Sequence, residues 1–125
     1  RSAAGAGGRF LAARPGARLA VSGAGTPRVD GIYVGEDAGD GSLRFAQEGG
    51  GAHAIAWWDA EPGLWRAGWY LFAAEEELGA YCGAAGDGAR LPLGEWEAYA
   101  GPESLPGRAP APRVEAAAEP PAGAG

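Results

Sequence analysis

Few residues in this sequence could take part in catalysis. The chain has one histidine, His53, and one cysteine, Cys82. A nucleophilic triad would need His53 beside Ser22, Ser42 or Ser104, and none of these serines stands in the strand–turn–helix context of an exposed nucleophile. Cys82 has no basic neighbour in the sequence that would lower the pKa of its thiol, so we expect a small buried hydrophobe. These residues predict a protein that is not an enzyme, with no catalytic residue and no cofactor.

Two groups of carboxylates could in principle hold a metal ion. One is the run 75–77, and the other consists of Glu36, Asp37 and Asp40. Neither has the alternating ligands and the terminal glutamate of a calcium-binding EF-hand loop. We therefore interpret both groups as solvated turns and predict no metal site.

The tryptophans carry the strongest signal. Successive residues of a β-strand point to opposite faces, so the neighbours Trp57 and Trp58 cannot both lie in a one-sided core. Either a two-layer domain buries both faces, or some of the rings form an exposed aromatic patch, which usually marks a binding surface. The predicted partner-binding residues are Trp57, Trp58, Tyr70, Phe72 and Trp96.

The elements that must position these rings are short strands. Turn signals rich in glycine and aspartate recur at short intervals, with alternating aromatic segments between them. This pattern predicts an all-β fold, a small antiparallel meander or barrel-like sheet with extended N- and C-terminal tails. A helical turn over 72–78 is the one competing interpretation. The expected strands are 17–21, 32–34, 43–47, 52–57, 64–72, 78–84 and 95–99.

Composition divides the chain into three parts. Residues 1–16 form a basic arm rich in glycine and alanine, residues 17–101 the aromatic β domain, and residues 102–125 a tail rich in proline and alanine. Repeated proline favours extended backbone without a core of its own, so we expect the tail to be a linker or a segment that lies over a partner. The predicted tail contacts are Arg9, Phe10, Arg14, Pro106, Pro110 and Pro112.

Charge and hydropathy exclude two classes of protein. Residues 31–105 hold three arginines and thirteen acids, a net charge of −10, which argues against a nucleic-acid-binding core. No apolar run approaches the roughly 20 residues that span a bilayer, so no transmembrane segment is predicted. The stretch 1–18 has four arginines and no acid, which resembles the end of an organellar transit sequence. We therefore expect an organellar protein after cleavage of a presequence; secretion is the alternative.

Several motifs follow one another in a recognisable order. Thr-Pro-Arg-Val-Asp-Gly-Ile-Tyr ends at Tyr33, Ile-Ala-Trp-Trp at Trp58, Trp-Tyr at Tyr70, and Leu-Pro-Leu-Gly-Glu-Trp at Trp96. The order resembles a short aromatic β module, often repeated, in large proteins of algae and other microbial eukaryotes. Asp30 stands where the pattern has Asn. The resemblance spans residues 19–112 and implies a non-catalytic β module, with no catalytic residues to carry over.

The function predicted from the sequence is that of an interaction module. Valine, isoleucine, leucine and phenylalanine total only 18 residues, so the domain gains stability by docking onto something larger. We expect a small accessory or structural subunit of a larger protein complex, specifically a membrane-embedded photosynthetic complex of the chloroplast thylakoid. The alternative is a carbohydrate-binding module that uses exposed tryptophans.

Overall fold

The fold consists of β-strands joined by short turns. The computed structural model describes residues 10–37, 43–63, 66–75, 78–83, 87, 89–99, 101 and 110–117. Within these ranges the only helical element is a 3₁₀ turn, Pro27–Val29. The strands are β1 Phe10–Ala12, β2 Arg18–Ser22, β3 Gly31–Asp37, β4 Leu43–Gln47, β5 His53–Trp58, β6 Gly68–Ala73, β7 Leu78–Cys82, β8 Arg90–Pro92, β9 Gly94–Glu95, β10 Glu97–Ala98 and β11 Arg113–Ala116. The predicted all-β fold is confirmed.

The main sheet nearly closes on itself as a barrel. Its nine strands run in the order β10-β7-β6-β5-β4-β3-β2-β11-β9, and every pairing is antiparallel. The two end strands, β9 and β10, are separated in the sequence by Trp96 alone. The backbone itself therefore bridges the two ends of the sheet. Strands β1 and β8 form a separate antiparallel pair beside the barrel.

Glycine in the turns allows successive strands to run antiparallel. Gly49 and Gly50, between β4 and β5, have φ of +81° and +77°, a region that favours glycine. The predicted strand 43–47 coincides with β4, and the predicted strand 52–57 differs from β5 by one residue at each end. The helical alternative over 72–78 is wrong at both ends, because Phe72 lies in β6 and Leu78 begins β7.

The barrel interior holds the main core. Every second residue of the strands points inward, so Tyr33, Phe45, Ile55, Trp69 and Leu71 meet there, each at most 1% exposed. The polar groups of the buried rings are paired. The Tyr33 hydroxyl donates to the Val29 carbonyl at 2.8 Å, and the Trp69 indole N–H donates to the carbonyls of Asp87 and Arg90 at 2.7 and 3.0 Å.

The expected boundaries of the domain have to be moved outward. Residues 10–12, assigned from composition to the N-terminal arm, pair with β8. Residues 113–116, assigned to the proline-rich tail, form β11 between β2 and β9, and the Val114 side chain is fully buried. Strand pairing therefore extends into both regions that composition had set apart: the C-terminal region contributes β11 to the main sheet, and the N-terminal region contributes β1 to the separate pair with β8.

Candidate binding surface

A second apolar cluster lies on the outer face of the barrel. Alternation along β5 and β6 points Ile55, Trp69 and Leu71 inward, and it points their neighbours Tyr70 and Phe72 outward. We call this second group the outer cluster. Its members are Ala54, Tyr70, Phe72 and Cys82, with Ala56, Trp58, Ala74 and Tyr99 packed against them.

Trp58 is a half-buried ring of this cluster that packs on two buried ones. Its indole stacks on Tyr70 with 4.5 Å between ring centroids and 19° between planes, and it lies 5.4 Å from Phe72. Tyr99 meets Tyr70 edge-on at 5.1 Å. Tyr70 and Phe72 are only 1% and 2% exposed, whereas Trp58 is half-buried. Tyr99 is half-buried as well, so the partly solvated aromatic surface of the outer cluster is that of Trp58 and Tyr99.

The absence of a side chain at Gly79 makes room for the outer cluster. A Cβ at this position would lie 2.9 Å from Cδ2 of Tyr99 and 3.4 Å from Cη2 of Trp58. Gly79 faces Phe72 across the β6–β7 pair, next to an irregularity in the register. The two rings can thus settle directly on the backbone of β7.

Register places charged groups beside the rings. One cross-strand row runs from Arg44 through Ala56, Tyr70 and Cys82 to Glu97, each a direct partner of the next. Directly opposite residues on one face lie about 4.5–5.5 Å apart, so this row is a continuous strip on the outside of the barrel. Arg44 in turn is opposite Glu36 of β3, so charged residues stand at both ends of the row and apolar residues fill its middle.

Two arginines border the rings of the outer cluster. The Arg44 guanidinium carbon lies 5.3 Å from the centroid of the Phe72 ring. The Arg66 carbonyl accepts a hydrogen bond of 2.8 Å from the Tyr70 hydroxyl, and Arg66 itself is exposed. A cation beside an aromatic face is attracted by the ring quadrupole. The apolar stack is therefore bordered by groups that could bind a polar or charged ligand.

Cys82 lies in the outer cluster as an unreactive thiol. Burial raises the pKa of this thiol, and the hydrogen bond to Arg66 opposes that effect without overcoming it. A thiol with a raised pKa is protonated at neutral pH and is a poor nucleophile. The interpretation of Cys82 as a small buried hydrophobe is confirmed, because the residue is 5% exposed.

The prediction that Trp57 and Trp58 face opposite sides is confirmed. Trp57 packs against the interior core, edge-on to Trp69 at 6.0 Å. Its indole N–H donates to Oδ1 of Asp59 at 3.1 Å, and the ring is half-buried. The two neighbouring tryptophans therefore do not form one patch; only Trp58 belongs to the outer cluster.

The expectation of exposed rings is wrong for Tyr70, Phe72 and Trp96. The first two lie beneath Trp58. Trp96 is 4% exposed because it turns into the barrel between β9 and β10, where its indole N–H donates to the Pro92 carbonyl at 3.0 Å. The sequence pattern placed aromatic rings on both faces of the strands. It did not show that the rings on the outer face would cover one another.

The predicted tail contacts that the structure describes lie against this chain. Phe10 is half-buried in β1, with the Arg90 guanidinium 5.3 Å from its ring centroid. The Pro110 carbonyl accepts from the Gly25 N–H at 2.8 Å, and the buried Pro112 accepts from the Trp96 N–H at 3.0 Å. Arg14 is exposed, and its guanidinium donates to the Pro15 carbonyl at 3.5 Å. Arg9 and Pro106 lie outside the described residues.

The described residues among the other candidates for catalysis or metal binding do not form a common site. The backbone N–H of the half-buried His53 donates to Oε1 of Gln47 at 3.3 Å. Across the described ranges, no group of three or more histidine, cysteine or carboxylate side chains is placed to hold a metal ion. Asp40 and residues 76–77 of the predicted acidic turns lie outside these ranges.

Comparison with protein-family models, with curated proteins and with solved structures finds no match to this chain. Among the residues described, none belongs to a helix of the length and hydropathy needed to cross a membrane. Sequence reasoning missed Tyr99 as a member of the outer cluster, and it missed Arg44 and Gly79 as residues that border it. Strand alternation would have placed Arg44, since Arg44 and Phe45 must face opposite sides.

Proposed function

We propose that the chain is a non-catalytic interaction module, a small accessory or structural subunit that docks onto a larger protein through the outer cluster. The observation that carries this proposal is the position of Trp58, half-buried at the top of an aromatic stack outside the barrel. Tryptophan is enriched among the residues that dominate binding energy at protein interfaces.

The interior core supports this proposal, because it is already filled without the outer cluster. Tyr33, Phe45, Trp69, Tyr81 and Trp96 all pack inside the barrel. The four rings of Trp58, Tyr70, Phe72 and Tyr99 are additional to it. A docked partner that covered the Trp58 indole would remove further apolar surface from water at about 25 cal/mol per Å².

The assembly that we propose is a photosynthetic complex of the chloroplast thylakoid. The support is the resemblance of the motif order to modules of algal proteins. Fractionation of the producing cells, followed by native electrophoresis and immunodetection, should recover the chain with thylakoid complexes. Recovery in the medium or the cytosol would contradict this location. The proposal that Trp58 is the docking residue would be unaffected.

Two matched tryptophan variants test the docking surface. Trp58→Ala should lose association with the native partner, with at least a tenfold fall in affinity, because an interface anchor costs more than about 1.4 kcal/mol when truncated. Trp57→Ala is the control, since it removes the same side chain from the opposite face. Circular dichroism checks that both variants fold. Equal association of the two variants would refute the proposed surface.

A carbohydrate-binding function is the second candidate. The specific observation is the flat, partly solvated indole of Trp58 in a cluster that Arg44 and Arg66 border. Such an indole could stack on the C–H face of a sugar ring while the arginines contact its hydroxyls. A glycan panel with tryptophan fluorescence as the readout should then give saturable quenching that Trp58→Ala abolishes. No response to any glycan would exclude this function and leave protein docking intact.

A further inference from the structure

The last strand, β11, fills a gap in the barrel. It pairs with β2 over four residues and with β9 over two, so it lies between two strands that would otherwise present unpaired edges to each other. Backbone hydrogen bonds flank it, from the Trp96 N–H to the Pro112 carbonyl and from the Ala117 N–H to the Arg18 carbonyl. Unpaired strand edges are templates for pairing with another strand.

Few side chains hold β11 in this position. Val114 is its only fully buried residue, and the Arg113–Glu115 ion pair at 2.8 Å is internal to the strand. The aromatic rings of the interior all come from residues 33–96. Withdrawal of β11 and the residues that lead into it therefore removes Val114, the buried Pro112 and the half-buried Ala111 from the barrel, together with a set of backbone hydrogen bonds, and leaves the aromatic core in place. Such an element belongs to the local openings of a fold rather than to its global unfolding.

The connection to β11 is long enough to reach another molecule. Residues 99–112 join β10 to β11, and four of these fourteen residues are proline. Pro110 and Pro112 are hydrogen-bonded beside β11 and would move with it, so the length left to reach a neighbour is that of residues 100–109, up to about 33 Å when extended. Proline favours extended backbone. The same four-residue strand can therefore be supplied either by its own chain or by a neighbour.

We propose that the slot between β2 and β9 is a strand-exchange interface, which accepts β11 from a second copy of this chain. A strand from the second copy would make the contacts that β11 makes within its own chain, with Val114 inserted into the barrel and Arg113 opposite Ser22. Exchange of an identical element between protomers is a low-cost route to dimers. This inference is independent of the function proposed for the outer cluster, because β11 and Trp58 lie on different strands of the barrel.

Paired cysteines in the full-length chain test the exchange. Ser22 and Arg113 are exposed and directly opposed, so cysteines at these positions have the separation that a disulfide requires. One protein carries Ser22→Cys, and a second protein of different tag mass carries Arg113→Cys. They are mixed in denaturant, refolded together and oxidised. The control pairs Ser22→Cys with Glu36→Cys, which is exposed on β3 and opposes Arg44 of β4.

Exchange predicts a disulfide-linked heterodimer whose yield exceeds that of the control and rises with protein concentration. A connection of this kind gives an intramolecular effective concentration on the order of 1 mM, so the yield should be small at about 10 µM and substantial near about 1 mM. A single chain with both cysteines, Ser22→Cys and Arg113→Cys, should close an internal disulfide when it is oxidised at about 10 µM, and it should then remain monomeric in light scattering after concentration to about 1 mM. A heterodimer yield equal to that of the control at every concentration, with the internal disulfide formed normally, overturns the proposal.

Discussion

Closure of the barrel through Trp96 makes a quantitative prediction for stability. Trp96 lies between the two end strands β9 and β10, and it is 4% exposed. Its backbone N–H and its indole N–H donate to the carbonyls of Pro112 and Pro92, both at 3.0 Å. Trp96→Ala therefore removes a buried ring and leaves the Pro92 carbonyl without this donor.

The loss of stability expected for Trp96→Ala is a large part of the total free energy of unfolding. Truncation of a buried tryptophan to alanine costs about 3–5 kcal/mol, and a domain of this size has a free energy of unfolding of about 5–15 kcal/mol. Trp58→Ala should cost less, about 1–3 kcal/mol, because Trp58 is only half-buried and loses mainly its stacking on Tyr70 and Phe72. Trp96→Phe should fall between wild type and Trp96→Ala, because it keeps a ring and loses the indole N–H.

Urea unfolding followed by far-ultraviolet circular dichroism measures these differences. The linear dependence of the unfolding free energy on urea gives the midpoint and the slope for each variant. Trp96→Ala should lower the midpoint more than Trp58→Ala does, with Trp96→Phe intermediate. The reasoning about closure is refuted if Trp96→Ala costs no more than Trp58→Ala at an unchanged slope.

Three further predictions concern buried groups. Gly83→Ala should lower the free energy of unfolding by about 1–3 kcal/mol in the same urea assay, because its Cβ would lie 2.7 Å from Cγ of Pro92 and 3.2 Å from Cε2 of Trp96; an unchanged midpoint would contradict this packing. Burial raises the pKa of the Tyr33 phenol in the folded state, so its contribution to stability is complete below about pH 10 and is lost as the pH rises toward the folded value. Between about pH 9 and about pH 11 the free energy of unfolding of Tyr33→Phe should therefore fall less than that of wild type. Equal falls in the two proteins would contradict a raised pKa for Tyr33. Burial also raises the pKa of the Cys82 thiol, so a thiol-specific chromogenic reagent at neutral pH should react slowly with the native protein and rapidly in urea; equal rates would contradict its burial.

The sequence predicts the parts of the fold that depend on local pattern. Strand alternation places Trp57 and Trp58 on opposite faces, as it does Trp69 and Tyr70, and the structure agrees. The glycine-rich break at 49–51 ends β4 and allows β5 to return antiparallel to it. These features follow from the strand period of two and from turn stereochemistry, which residues near in the sequence determine.

Long-range pairing explains what the sequence did not reveal. Strand β11 is four residues long and follows a proline-rich stretch, so its composition resembles a tail. Its conformation is fixed by the edges of β2 and β9, which lie far away in the sequence. Likewise, Tyr70 is buried because Trp58 and Tyr99 cover it, and no local pattern shows that an outer ring will be covered.

Oxidative footprinting of the tryptophans tests the central claim most directly. Hydroxyl radicals label accessible indoles, and mass spectrometry locates the label residue by residue, in the isolated chain and in the assembly purified from its native source. A docking surface at the outer cluster predicts that Trp58 is labelled in the isolated chain and protected in the assembly, while Trp57 on the opposite face is labelled alike in both. Equal labelling of Trp58 in the two states would contradict the account.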